Sequence, residues 1–357
     1  MYPRQWVKEE QVVIPKSIPL EGLESLRSLS KTVLASKVYE AFLGDWLMPI
    51  VGPFLDKANY GGMKGNSSIY YLIDVLHFIH SHVNDTSSNY AVLLAQCDLK
   101  RAFNSISHRD IIIDLYDMCT PGWILRILTS YLTDRNMTLR FRGSVSSQFL
   151  LPGSCPTGVF LSVLLFTVVF NGAFLRPRVP RGFLRCRNCE KHSYSVCLHV
   201  REEYFTAKFL DDSSQLRAIN LRTDLIKNVN LVLPARFHER TGHSLNPAKN
   251  GLQSDLDEFQ RFTSSKNLEI NPKKSSVMLF NFSSALDFQP SIEIGGQQLK
   301  IVEQTTILGL TVSASLKWTE HVDTITTKAR KRIYILRKMM NNGFDYEIIL
   351  DIYMKEI

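Results

Sequence analysis

The chain has 357 residues, 45% hydrophobic and 21% charged, which is enough apolar content for more than one core and too much for wholesale disorder. A formal charge of +8 and a pI near 9.1 permit a polyanionic partner without requiring one. Residues 1–10 are polar and include two acids, so no signal peptide is read there. The most apolar stretch, residues 161–174, is too short to span a bilayer and is interrupted by Ser162, Thr167, Asn171 and Gly172.

In chain order, scattered basic and proline positions come first. Leu72, Val75, Leu76 and Ile79 then recur at helical spacing behind a Ser67 or Ser68 cap. Residues 91–97 form an apolar run without a helical stripe and read as a buried strand ending at Asp98. Helices are predicted over 111–119 and 123–131, parted by Pro121-Gly122, and a hairpin over 139–151 that turns near Arg142-Gly143. Residues 161–174 read as a buried helix, and 176–185, rich in Arg and Pro, as irregular.

Strands follow at Tyr204–Phe209 and 213–219, with Asp211-Asp212 between them. Residues 234–251 read as a polar insertion, and 254–262 as an amphipathic helix capped by Ser254, with Asp257 three positions on. Further strands are predicted at Ser276–Phe280 and 306–312. In the last stretch Val322, Ile325, Ala329, Ile333 and Leu336 share a helix face, and Lys328, Arg330, Lys331, Arg332, Arg337 and Lys338 cover the rest. Strands and helices interleave without a βαβ rhythm, which predicts an α+β fold.

Two features carry chemistry: Asp98 at the end of a buried strand, and the adjacent Asp211-Asp212 at a tight turn. Neighbouring acids repel, and they forgo the Asn-Gly or Asp-Gly chemistry that hairpins favour. A divalent cation would offset that cost, since Mg²⁺ takes oxygen ligands from one or two carboxylates and substrate phosphates. Two such ions roughly 4 Å apart clamp an in-line phosphoryl displacement.

Asp98-Leu99-Lys100-Arg101-Ala102-Phe103-Asn104 resembles the first palm motif of non-LTR (LINE-like) retrotransposon reverse transcriptases. Residues 152–166, beginning Pro-Gly-Ser-Cys-Pro-Thr-Gly158, resemble their next motif, and Phe209-Leu210-Asp211-Asp212 the aromatic-x-Asp-Asp signature. Asn271-Pro272-Lys273-Lys274 is similar to the fourth motif and Ile307-Leu308-Gly309-Leu310 to the primer-grip strand. Upstream, Lys16 and Arg27 lie in segments like those that meet the triphosphate, and residues 60–67 resemble the segment along the template. The likeness covers nearly the whole chain. It extends to retroelement-derived reading frames of marine invertebrates, which share the insertion at 237–243.

The resemblance implies a right-hand polymerase with an antiparallel palm sheet. Fingers would occupy 1–88. The palm would span 89–300, with interspersed fingers helices and insertions at 174–204 and 232–253. Primer grip and a partial thumb would follow at 301–357. The implied activity is RNA-directed DNA polymerisation with an RNA template, a DNA primer, dNTPs and Mg²⁺ or Mn²⁺.

Residue by residue, Asp98, Asp211 and Asp212 would hold metal, and Lys274 would protonate pyrophosphate. Lys16, Arg27, Leu99, Phe103 and Gly158 would meet the nucleotide. Lys64, Gly65, Leu308 and Gly309 would meet template and primer. Four positions depart from the pattern: Thr157 for Gln, Val163 for Pro, Ser154 for Gly and Asn104 for Asp. They leave the metal ligands intact but touch substrate handling. An inactive or truncated remnant that folds and binds RNA is therefore the alternative reading, and an RNA-dependent RNA polymerase a third.

The six cysteines are Cys97, Cys119, Cys155, Cys186, Cys189 and Cys197; without a secretory signal they read as reduced thiols of an intracellular chain, nuclear or cytoplasmic. Cys186, Cys189, His192, Cys197 and His199 could bind Zn²⁺ tetrahedrally, or could be incidental residues of a surface insertion.

Overall fold

The computed structural model describes residues 1–15, 22, 26–63, 65–83, 90–150, 153–156, 160–173, 204–220, 246–282 and 291–356. The chain opens with strands β1 (Lys8–Pro15) and β2 (Leu26–Lys31), then helices α1 (Leu34–Val51) and α2 (Ser68–Val83). β3 (Tyr90–Cys97), β4 (Leu99–Lys100) and the single turn α3 (Ala102–Ser105) lead into α4 (His108–Asp117) and α5 (Gly122–Leu132). β5 (Asn136–Phe141), β6 (Ser144–Val145) and β7 (Phe149–Leu150) precede α6 (Phe160–Phe170).

The hairpin β8 (Tyr204–Phe209) and β9 (Asp212–Asn220) and helix α7 (Asn246–Ser265) follow. Short strands β10 (Glu269–Ile270), β11 (Ser276–Phe280), β12 (Glu293–Ile294), β13 (Gln297–Gln298) and β14 (Lys300–Ile301) come next. A hairpin of β15 (Gln304–Ile307) and β16 (Leu310–Ser313) leads to helices α8 (Thr319–Asn341) and α9 (Tyr346–Glu356).

The central sheet runs β14-β11-β3-β9-β8 and is antiparallel except for the β14–β11 pair. β3 is buried on both faces, which explains its unbroken apolar run. Ala91, Leu93, Ala95 and Cys97 enter a core with Leu164, Leu165 and Phe166 of α6 and Phe259 of α7. Val92 and Leu94 enter a second core with Val75, Phe78 and Ile79 of α2. α6 is apolar all round and is covered on nearly every side. A second sheet, β2-β1-β5-β6, holds β1 and β5 parallel and carries β2 beside the central sheet's open end.

Most predicted elements are present. Ser67 Oγ accepts from the Tyr70 amide at the head of α2, and Arg142 (φ 46°) and Gly143 (φ 87°) make the β5–β6 turn. Three expectations need correction. α7 begins at Asn246, inside the predicted insertion, so Ser254 is an interior residue and not a cap; Pro247, second in the helix, suits its first turn.

Residues 306–312 form a hairpin, not one strand, because Leu308 (φ 46°) and Gly309 (φ 88°) turn the chain back. The apolar stripe of α8 is packed inward only at Leu336; Val322, Ile325 and Ile333 are exposed, because β16 and α9 meet the helix without covering that face. Residues 176–185 and 234–245 lie outside the described residues. Among the described residues no helix is long and apolar enough to cross a membrane.

Candidate active site

Asp98 leaves the C-terminal end of β3, where the register pairs Cys97 with Ser213 of β9. One step further along that ladder lie Asp98 and Asp212. β8 and β9 close with Phe209 opposite Asp212, leaving Leu210 and Asp211 as the turn. Leu210 holds φ 56°, a conformation that costs a non-glycine residue about 1–2 kcal/mol. The turn is held from outside: a Cβ on Gly61 would lie 2.5 Å from the Leu210 amide nitrogen, so only glycine lets that segment approach.

The fourth motif cradles Asp98. The Asn271 amide donates to the Asp98 carbonyl at 2.8 Å and its side chain to Asp98 Oδ2 at 3.3 Å. Ser275 Oγ accepts from the Asp98 amide at 3.2 Å and donates to the Asn271 carbonyl at 2.9 Å. Lys274 Nζ stands 3.7 Å from Asp98 Oδ2 on a largely exposed side chain. Asn271, quoted in the motif without a role, and Ser275, one position beyond it, hold Asp98 because both lie in the tight turn between β10 and β11.

Asp98 and Asp211 line one open cavity of about 640 Å³, together with Arg27, Leu99, Lys100, Arg101, Phe103 and Lys274. β2 delivers Arg27, paired opposite Ile14 of β1. Phe103 does two jobs: its ring stacks on Phe166, centroids 4.8 Å apart, while its partly exposed edge faces the cavity. Arg101, at φ 48°, turns the chain from β4 into α3 at the cavity wall.

Burial raises the pKa of Asp211, and the charge of Asp98 adds to it against Arg27 and Lys274. Asp212 is pushed up to about 6 by burial and then by Asp211 and Asp98, with Lys274 opposing. Burial and the neighbouring carboxylates therefore oppose the charged forms of Asp211 and Asp212, with Lys274 acting against both shifts.

Gln96, two residues before Asp98, ties the β15–β16 hairpin to the site: it accepts from Thr305 Oγ1 at 2.9 Å and donates to the Thr306 carbonyl at 3.4 Å. Leu308 packs partly against the second core, and Gly309 is open. Gly65 (φ 86°) is an open turn ahead of α2. Ser154, one of the departures, holds φ 95°, the glycine-like backbone that its predicted glycine would occupy without strain. Lys16, Lys64, Thr157 and Gly158 lie outside the described residues, as do Cys186, Cys189, His192, Cys197 and His199. Cys97, Cys119 and Cys155 are free thiols.

The family model for reverse transcriptase (RNA-dependent DNA polymerase) matches residues 14–312. The chain belongs to this family. The chain is 24% identical over 345 residues to the probable RNA-directed DNA polymerase from transposon BS of Drosophila melanogaster, covering 95% of this chain and 33% of that protein. It is 20% identical over 337 residues to the RNA-directed DNA polymerase from mobile element jockey of the same fly, covering 93% and 32%. It thus spans about a third of the length of these curated relatives and resembles non-LTR elements, as the motifs implied.

Its fold is similar to that of apo telomerase from Candida tropicalis (TM-score 0.51, 10% identity, 87% of this chain and 48% of that one). It is likewise similar to that telomerase in complex with a TWJ fragment of telomeric RNA (TM-score 0.50, 10% identity, 87% and 44%). The right-hand polymerase fold with its antiparallel sheet is therefore that of the reverse transcriptase.

Catalysis in this family uses Mg²⁺, and the donor chemistry fits: the carboxylates of Asp98 and Asp211 line one cavity, and both act on the adjacent Asp212. Among the described residues no three His, Cys, Asp or Glu side chains form a group tight enough to hold a metal by themselves.

Proposed function

We propose that this chain is the RNA-directed DNA polymerase of a retrotransposon, adding dNTPs to the 3′-hydroxyl of a DNA primer on an RNA template. The observation that carries the reading is the single cavity shared by Asp98, Asp211, Arg27, Phe103 and Lys274. The names of the transposon relatives, and the RNA bound by one of the telomerases, support it.

Asp98 and Asp211 would hold Mg²⁺ or Mn²⁺, with Asp212 and the Leu99 carbonyl completing the set. When bound, the ions acidify the primer hydroxyl and offset the triphosphate charge. Arg27, with Lys16, grips the triphosphate. Lys274 hands a proton to the leaving pyrophosphate. Phe103, braced on Phe166, screens the sugar 2′ position, and Gly158 lets the base pair approach the backbone. Lys64 and Gly65 follow the template, and Leu308 and Gly309 the primer end. The hand divides as fingers 1–88, palm 89–300 and primer grip with partial thumb 301–357, the exposed cations of α8 facing the duplex.

The test is extension of an oligo-dT primer on poly-A RNA with Mg²⁺ or Mn²⁺. Incorporation of dTTP that depends on RNA and metal supports the proposal. Folded protein that binds RNA and extends nothing makes the chain a non-catalytic remnant.

A further inference from the structure

Lys208 sits three residues before Asp211, near the end of the edge strand β8, and is fully buried. A buried ammonium is costly unless every donor is used. Here Nζ lies 3.0 Å from Asp56 Oδ2 and donates to the carbonyls of Ala173 at 2.7 Å and Asn171 at 3.3 Å. The ring of Phe170 lies 5.9 Å from it. Asp56 is equally committed, since its Oδ1 accepts from the Ala58 amide at 3.0 Å. The side chain of Asn171 accepts from the Asp56 amide at 2.6 Å and donates to the Phe54 carbonyl at 3.0 Å.

The backbone repeats the connection. The Lys208 amide donates to the Ala58 carbonyl at 2.9 Å, and the Tyr60 amide to the Lys208 carbonyl at 2.7 Å. Asn59 Oδ1 then accepts from the Gly61 amide at 3.1 Å, and Gly61 presses on Leu210. Residues 56–62 are thus fastened as an extra edge to β8, up to the turn that carries Asp211. The ammonium of Lys208 thus joins its own strand to two other segments, through Asp56 and through Asn171 and Ala173.

We propose that Lys208 and Asp56 are positioning residues: their buried ion pair clamps residues 56–62 onto the Asp211–Asp212 turn, so that the template-side segment and the metal-ligand turn keep one fixed spacing. The pair touches neither metal nor nucleotide. It acts by holding Leu210 in its left-handed conformation and Asp211 at the cavity. The consequence for catalysis rests on the polymerase reading; the mechanical coupling does not.

The experiment compares wild type with K208M and D56N, and with R135M as a control that breaks a buried pair away from the cavity. Two quantities are read: hydrogen exchange of residues 56–62 and 208–213, and the extension rate per folded molecule as Mg²⁺ is raised. The clamp predicts that K208M speeds exchange in both segments together by at least tenfold. It also predicts a rate at least tenfold lower and a several-fold higher half-saturating Mg²⁺, none of which R135M shows. D56N, which keeps the side chain's shape but replaces one of its two acceptor oxygens with a donor, should show the same changes and carries the test if K208M does not fold. Exchange loosening in only one segment, or activity that falls only with the folded fraction as in R135M, overturns the proposal. If wild type extends no primer, the polymerase reading fails, while the exchange result still decides the clamp.

Discussion

Two regions of this molecule bury carboxylates, and they solve the resulting problem in opposite ways. Between α1, α5 and β1, Glu40 is fully enclosed, and burial raises its pKa while Ser36, Arg135, Tyr131 and Tyr2 all favour its charge. Tyr131 donates to its Oε2 at 3.2 Å, and Tyr2 to its Oε1 at 3.3 Å. Beside it, Glu9 and Arg135 form a pair 3.1 Å long with neither side chain exposed. The hydroxyls and the guanidinium that face these carboxylates all belong to the chain itself.

At the end of the central sheet, burial of Asp211 and Asp212 is compounded by other carboxylates, and Asp98 and Asp211 line an open cavity. A shifted pKa alone does not mark a functional site, since structural networks produce it too. What separates the two regions is whether the answering charge is already inside the fold or has to arrive with a ligand.

Substitutions should sharpen that contrast. The largest effect is expected at the open site: D211N should cut extension by three orders of magnitude or more while leaving the melting temperature unchanged or higher, because a repelling charge is removed. R135M should do the reverse, costing about 3–5 kcal/mol in denaturant unfolding by stranding Glu9, with activity per folded molecule retained. F103V should lower dNTP-over-rNTP discrimination by roughly 10- to 100-fold, measured as the ratio of kcat/KM values. If F103V lowers stability and leaves discrimination untouched, the stack on Phe166 is the whole of its role.

Smaller effects test the closed region and its surroundings. Glu40 binds its proton more tightly in the folded state than in the unfolded state. Its contribution is therefore present below the unfolded carboxylate range and is lost as pH rises through the folded value. Between pH 5 and 8 wild type should lose more thermal stability than E40Q, and equal losses would show that Glu40 is already charged at pH 5. The smallest expected change is S154G, which should add about 1 kcal/mol in denaturant unfolding by relieving φ 95°. Its hydrogen bonds to Ile106 and His108 run through the backbone and survive the change.

Much of this was legible in the sequence because the relevant signals are local. β3 showed as an apolar run ending in Asp98, and the β8–β9 turn as two strand patterns around an acidic pair. α7 was read too short because Lys249, Asn250 and Gly251 look like loop composition, although Asn246-Pro247 is a sound helix start. The β15–β16 hairpin reads as one strand in the sequence because a leucine, not Asn or Asp, takes the first left-handed position ahead of Gly309. The Lys208–Asp56 clamp leaves no trace in the sequence, since its members come from three segments far apart in the chain, around 56, 171–173 and 208, and neither residue stands in a motif. Ser154 is intermediate: its departure from glycine was visible, but its strain needed the backbone.

The central claim is that the cavity between Asp98 and Asp211 receives a metal-bound nucleotide. It is tested most directly by dTTP binding to the protein on poly-A RNA with a dideoxy-terminated primer, which permits binding and blocks transfer. Binding that requires Mg²⁺ or Mn²⁺ and falls at least tenfold in both D98N and D211N, with R135M unchanged once corrected for its folded fraction, is the predicted result. Nucleotide held equally well by D98N and D211N, with the same dependence on metal, would contradict it.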